Sequence, residues 1–270
     1  MSEKILFTDM DGTLLTSRKT VSPALAGLIS EMIAAGHHLV LSSGRTLPSI
    51  LSSAKKAGLL YPDTLIIAVN GNLVYDCKNK KALLEKTVPV PICRGIIDLA
   101  HAYGLHIQSY DDSRVVCEKE GPELSFYQKS TGLSAVLTDD IMGYIGHSPH
   151  KLLAIDLKNK NRLLSLQKDI LSLYGDTVTA IFSCDQYLEV FDKTAGKGNA
   201  LRFVCDHLGI PVSDSVAAGD AENDISMLDS AGVAVAMANA PQEVKVHADF
   251  ITRADNDHDG LGEAILRYFL

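Results

Sequence analysis

Tryptophan is absent from the 270 residues, and the five cysteines (Cys77, Cys93, Cys117, Cys184, Cys205) are odd in number and never spaced as CxxC. A disulfide framework or a structural zinc site does not fit that usage, so reduced buried thiols are expected. No apolar stretch approaches the roughly 20 residues that a membrane helix requires. The opening MSEKILFTDMDG meets an acid within a few residues and leaves no room for a signal-peptide h-region. A basic excess is also lacking: 33 acidic against 25 basic side chains give a net charge of −8. Nucleic-acid backbones and anionic lipid both call for a basic face, so neither is an expected partner. A small phosphorylated molecule stays compatible, provided a few local cations and a metal oppose the global field. No internal repeat, low-complexity tract or Gly/Ser linker interrupts the chain. These absences lead to the expectation of a cytoplasmic, enzyme-sized protein, monomeric or weakly self-associating.

What is present is 46% apolar and 21% charged, an ordinary globular balance. Apolar blocks alternate with helical patterns from the start. KILFTD (4–9), HHLVLSS (37–43) and TLIIAVN (64–70) read as buried strands, and PALAGLISEMIAAG (23–36) and TLPSILSSAKKAG (46–58) as the helices between them. The last third repeats the grammar. Helices are expected at 197–209, 221–232 and 261–270, and strands at 215–220 and 233–238. Short connections of this kind predict an α/β fold, a Rossmann-like parallel sheet with helices on both faces.

The middle carries more alternation and more turn residues. HIQSY (106–110) and RVVCE (114–118) flank a DDS turn and predict a hairpin. KLLAIDL, a helix at 160–174, TVTAIFS and QYLEVFD complete a mixed pattern. We expect an inserted α+β module at 83–188, entered near Asp76–Glu85 and left near Glu189–Lys193. The core then consists of residues 1–82 and 189–270.

Ligands of open α/β sheets gather at the carboxyl ends of the strands, and four such ends here hold unusual residues: Asp9–Thr13, Ser42–Arg45, Asn70–Gly71 and Gly219–Asp224. In DMDGT, Asp9 and Asp11 lie two apart in an extended segment and can converge on one point. Two close carboxylates resist joint ionisation unless a cation sits between them or one keeps a proton. That suits a metal-bound nucleophile beside a general acid/base. Gly12 permits a tight turn, and the Thr13 hydroxyl can fix the loop; the plain alternative is an Asp/Gly-rich turn. In LSSGR, Ser43 and Gly44 precede a helix and suit an anion. Ser42 competes with Ser43 for the role, Arg45 can hold the far end of a substrate, and a simple helix cap is the alternative. Lys197 opens a helix against the macrodipole, which is unfavourable unless an anion lies near; a solvated lysine is the alternative. In GDAENDISML, Asp220 ends a strand and Asp224 follows on the same side. A second acidic pair beside the first calls for something positive between them. Mg²⁺, a hard cation taking oxygen ligands, fits better than zinc, since these segments hold no His or Cys.

Other features have ordinary readings. Leu14 and Leu15 are expected in the core, KNKK (78–81) in a solvated turn, and the nine histidines show no metal spacing. DNDHDG (255–260) lacks the glutamate of a calcium loop.

Together DMDGTLL (9–15), LSSGR (41–45), VNGN (69–72), GKGNAL (196–201) and GDAENDISML (219–228) resemble the haloacid dehalogenase-like superfamily of phosphatases, within it the Cof-type sugar-phosphatase branch with a type IIB cap. The resemblance spans the whole chain. It implies a cap over the strand ends, with residues 83–188 setting specificity; Tyr110, Arg114, Tyr127 and Tyr187 are the candidates there, each with a structural alternative. It implies that Asp9 is the nucleophile and that Asp11 protonates the leaving oxygen and then activates water. Mg²⁺ would be held by the Asp9 carboxylate, the Asp11 backbone carbonyl and Asp220, with Asp224 orienting a bound water. Ser43 and Lys197 would clamp the phosphoryl oxygens, with Asn223 near the phosphate. The implied activity is Mg²⁺-dependent hydrolysis of small phosphorylated metabolites, sugar phosphates above all, through an aspartyl-phosphate. The alternatives are a phosphomutase, a phospho-accepting signalling module and a binding protein on an inactive core.

Overall fold

The computed structural model describes residues 3–111 and 113–270. Asp112, the middle of the expected DDS turn, lies outside them, as do Met1 and Ser2 of the opening segment. Two compact units emerge: one runs through Leu84 and resumes at Gly196–Leu270, and the other is Glu85–Ala195.

The first unit begins with β1 (Ile5–Asp9), α1 (Pro23–Ala34), β2 (His38–Ser42), α2 (Leu47–Lys56), β3 (Leu65–Ala68), β4 (Leu73–Asp76) and β5 (Lys81–Glu85). Local chemistry explains α1. The Ser22 hydroxyl accepts the Leu25 N–H at the helix start, Pro23 sits at the first helical position, and Leu25, Ile29 and Met32 recur on one buried face. Gly36, left-handed with φ +90°, lets the chain turn back into β2.

The inserted unit follows with α3 (Val90–Ala102), β6 (His106–Tyr110), β7 (Val115–Cys117), α4 (Pro122–Thr131), β8 (Ala135–Leu137), α5 (Ile141–Ile145), β9 (Lys151–Ile155), α6 (Lys160–Tyr174), β10 (Val178–Cys184) and β11 (Tyr187–Asp192). The first unit then closes with α7 (Lys197–Leu208), β12 (Ser215–Gly219), α8 (Ile225–Leu228), β13 (Val233–Ala236), α9 (Gln242–Lys245), β14 (Phe250–Ile251) and α10 (Gly260–Tyr268).

The first unit's sheet has eight strands in the order β14-β13-β12-β1-β2-β3-β4-β5. From β14 to β3 every pairing is parallel, whereas β4 pairs antiparallel with β3. Both faces are covered, so the strands read as unbroken apolar runs. Ile5 and Phe7 pack on one side with Val40 and Ile67, while Leu6 packs on the other with Leu41 and Ile66. The chain winds outward from β1 in both directions, and this reversal places a crevice at the carboxyl ends of β1 and β12. Leu14 and Leu15 lie in the core, as read, and KNKK forms an exposed turn between β4 and β5.

The second unit's sheet has six strands in the order β10-β11-β9-β6-β7-β8, antiparallel except between β7 and β8. The hairpin of β6 and β7 forms as the alternation suggests. One sheet face packs on α3 and α6 through residues such as Ile107, Leu152 and Val190. The other carries Tyr110, Val115 and Leu153 beneath Leu124 and Tyr127 of α4.

Several boundaries differ from the sequence reading. An exit at residue 189 would cut β11, which pairs with β10 and β9, so this unit ends at Ala195. The helix expected at 221–232 shrinks to a 3₁₀ turn at Glu222–Asp224 and the short α8. The cause is local: the Asp224 carboxylate reaches back to the N–H groups of Asp220 and Ala221 and winds the segment tightly. All five cysteines are free, as expected, but burial holds only for Cys93, Cys117 and Cys205; Cys77 is half-buried and Cys184 is exposed at the end of β10, where the pairing register slips. Among the described residues no helix is long and apolar enough to cross a membrane.

Candidate active site

Asp9 is the last residue of β1, and its neighbour across the sheet is Ser42, the last residue of β2. Lys197, the first residue of α7, is buried, and its Nζ donates to Asp9 Oδ1 and to Asp224 Oδ1, both at 2.6 Å. Two carboxylates thus supply the anion that a lysine at a helix N-terminus needs. Asp224 is fully buried, and its second oxygen accepts the Asp220 and Ala221 N–H groups at 3.0 Å each. Asp220 accepts the Thr13 hydroxyl at 2.8 Å. Gly12, left-handed with φ +87°, leaves space for that carboxylate, which a Cβ at residue 12 would overlap.

Asp9, Asp220 and Asp224 each offer an oxygen within 4.8 Å of the others. Asp11 does not join them through its carboxylate. The two acids of DMDGT share the motif without sharing a partner. Met10 between them turns into the core, and the Asp11 carboxylate takes Arg45 Nε and Nη2 and Lys19 Nζ, all at 2.6 Å. Arg45, read as a hand for the far end of a substrate, instead holds Asp11 and also donates to Ser53 at 3.0 Å.

Ser43 continues beyond β2. Its N–H donates to Ile67 O at 2.8 Å, and its hydroxyl oxygen accepts the Arg45 N–H at 3.2 Å. That bond uses an acceptor site of Ser43 and leaves its O–H to donate to an anion. The Ser42 hydroxyl is fully buried without a partner, while its carbonyl takes Lys197 Nζ at 3.4 Å. Asn223 Nδ2 donates to Asn70 Oδ1 at 3.0 Å.

The family pattern of haloacid dehalogenase-like hydrolases matches residues 6–265, nearly the whole chain. The chain belongs to this family. A Haemophilus influenzae protein carrying a provisional phosphatase name is 30% identical, the match covering 97% of this chain and 96% of that one. A haloacid dehalogenase-like hydrolase from Bacteroides thetaiotaomicron is 28% identical, with a TM-score of 0.88 over 99% of this chain and 100% of that one. A subclass IIB sugar phosphatase shares the fold at a TM-score of 0.81 and 20% identity, covering 98% of each chain.

In this hydrolase the electrostatics divide the acids into two groups. Burial pushes the Asp9 carboxyl well above the ordinary range against the pull of Lys197, and Asp224 and Asp220 add to the push. Burial, then Asp224, raises Asp220 to about 7. Burial works against the charge of Lys197, yet Asp224 and Asp9 outweigh it and hold the ammonium above an ordinary lysine. Once all three are ionised, three carboxylates against one ammonium leave two uncompensated negative charges, the charge of one divalent cation. An all-oxygen donor set fits Mg²⁺. Burial would also raise Asp11, but the hydrogen bonds and charge of Arg45, with those of Lys19, outweigh it and hold this carboxyl below the ordinary range.

The reading from sequence missed Lys19 and the partners of Asn70. Lys19 gives no local signal; Asn70–Gly71 stands out as a strand end, but nothing local names its partners. Of the second unit's candidate tyrosines, Tyr110 and Tyr127 are buried and joined hydroxyl to hydroxyl at 2.8 Å, and Tyr187 packs edge-on against Tyr127. Arg114 pairs with Asp111 and with the Tyr144 hydroxyl. Asp257 and Asp259 of DNDHDG accept from Ser17 and Ser22 and tie their loop to the segment before α1.

Proposed function

We propose that the chain is a Mg²⁺-dependent phosphatase of small phosphorylated metabolites, sugar phosphates foremost, working through an aspartyl-phosphate. The observation that carries this reading is the buried Lys197 bridging Asp9 and Asp224, with two negative charges left uncompensated beside Asp9 at the crevice of the parallel sheet. Asp9, Asp220 and Asp224 would hold the metal, which supplies positive charge against the phosphoryl oxygens and the nucleophile.

The steps belong to the protein's own residues. An Asp9 oxygen attacks phosphorus while the bond from phosphorus to the leaving oxygen breaks, and Asp11 gives that oxygen a proton. Asp11 then takes a proton from water, which attacks the aspartyl-phosphate, frees inorganic phosphate and restores Asp9. Lys197 and the Ser43 hydroxyl hold phosphoryl oxygens, and Asn223 stands beside them. Phosphoryl transfer depends chiefly on such positioning and charge neutralisation. Asp11 is held as an anion by Arg45 and Lys19, so its acid role needs a competitor for those cations, and a phosphate dianion is one. Choice of substrate is assigned to the inserted unit, which interrupts the strand–helix succession of the core.

The test is phosphate release from an aryl phosphate and a panel of sugar phosphates, with Mg²⁺, with EDTA, and with Asp11→Asn. Release that needs the metal and nearly vanishes in Asp11→Asn is the expected result. An Asp11→Asn protein keeping most of its turnover would sink the acid/base assignment. Isomerised sugar phosphate without free phosphate would make the enzyme a mutase.

A further inference from the structure

Between β3 and β4 the backbone does something costly. Val69, Asn70 and Gly71 all have positive φ, at 52°, 55° and 94°. Two of them carry a Cβ, one is β-branched, and each left-handed residue of that kind costs about 1–2 kcal/mol. All three are buried. Contacts to three other segments hold the turn. Val69 N–H donates to Arg45 O and Asn70 N–H to Ser43 O, both at 3.0 Å, so the turn brackets Gly44 from either side. A Cβ on Gly44 would stand 3.0 Å from Asn70 Oδ1. A Cβ on Gly71 would overlap the Gly196 carbonyl, the residue that opens the helix of Lys197. Asn72 Nδ2 closes the turn from behind on Val69 O at 2.5 Å. The amide of Asn70 itself accepts from Asn223 Nδ2.

We infer that Asn70 is a positioning residue for phosphate binding: its left-handed backbone fixes the Ser43–Arg45 loop, and its side-chain oxygen aims Asn223. It touches the segments of Ser43 and Asn223, and its neighbour Gly71 meets Gly196 just before Lys197, so it acts through them. The inference rests on the phosphatase reading for the ligand it names.

Asn70→Gly separates the two parts, because glycine keeps the left-handed turn at no steric cost and removes only the amide. The experiment measures the Kd of inorganic phosphate with Mg²⁺, and kcat and KM for an aryl phosphate, in wild type, Asn70→Gly, Asn223→Ala and the double variant. Asn70→Gly is expected to weaken phosphate binding and kcat/KM by about tenfold, the size of one oriented hydrogen bond, with the melting temperature nearly unchanged. Because Asn70 works through Asn223, the double variant is expected to be no worse than the poorer single one. A Kd within about twofold of wild type in Asn70→Gly, or single effects that multiply in the double, would overturn the inference. A wild type that binds phosphate without hydrolysing any ester would sink the phosphatase reading alone, since the Kd cycle still reports the coupling.

Discussion

Replacing Asp9 with Asn should abolish turnover and, without metal, make the protein more stable. Asp9 is 6% exposed and lies within 4.8 Å of acceptor oxygens on Asp220 and Asp224. At an effective dielectric of about 20, each such pair repels by about 3.5 kcal/mol. The Lys197 ammonium at 2.6 Å returns about 6 kcal/mol on the same scale. Repulsion and attraction nearly cancel, and the cost of burying the charge, several kcal/mol, falls on top. Partial protonation of Asp220, whose pKa is raised to about 7, takes some of that back. Asn keeps the shape and removes the charge, and Lys197 keeps Asp224 as its partner at 2.6 Å. A net gain of about 1–2 kcal/mol in EDTA follows, which is about 2–8 °C in Tm for a chain of this size. Mg²⁺ should narrow or reverse the gap, because the wild type binds the ion with one more carboxylate. Thermal unfolding in EDTA and in a Mg²⁺ series, beside aryl phosphate turnover, reads both halves. Turnover should fall by on the order of 10⁴ or more, as for other lost nucleophiles. A variant that melts well below wild type in EDTA would refute the charge balance, and one that keeps turnover would refute the nucleophile.

Gly12→Ala would place a Cβ on the Asp220 carboxylate at a backbone angle that alanine resists. The Mg²⁺ concentration for half-maximal activity should rise about 10–100-fold, as when other supports of a metal ligand are lost; an unchanged Mg²⁺ titration would remove Asp220 from the metal site. Asp156 tests the inserted unit: its carboxylate accepts the Lys158 and Asn159 N–H groups and Arg162 Nε at 2.7 Å. Burial would raise this carboxyl, but Arg162 and the two amides outweigh it and hold it below the usual range. A depressed folded-state pKa gives stability that is present above the unfolded value near 3.8 and lost as pH falls below it. Asp156→Ala should therefore cost about 1–3 kcal/mol at neutral pH, and its denaturation curve should approach that of wild type in acid; a cost that persists unchanged in acid would contradict the linkage.

The strand ends were legible because each parallel strand is an apolar run that stops at a polar residue, and the sheet collects those stops on one edge. Asp9, Ser43 and Asp220 could be picked out that way, and Lys197 by its place at a helix N-terminus. Pairing could not, since it is set by register between segments far apart in the chain: Lys197 meets Asp9 across 188 positions. Spacing alone treats the two acids of DMDGT as equals. Their partners make them opposites. Asp9 is crowded by acids and pushed toward protonation, while Asp11 is gripped by Arg45 and Lys19 and held ionised. A divalent cation bound beside Asp9 would reverse the first tendency and keep the carboxylate ionised. Only an anion that draws Arg45 away reverses the second. On the proposed reading Asp11 takes its proton from water once the substrate has drawn Arg45 away, so nucleophile and acid become competent only when metal and phosphate are both bound. Such an enzyme needs no separate safeguard for its acid in the absence of substrate, because Arg45 and Lys19 already provide one.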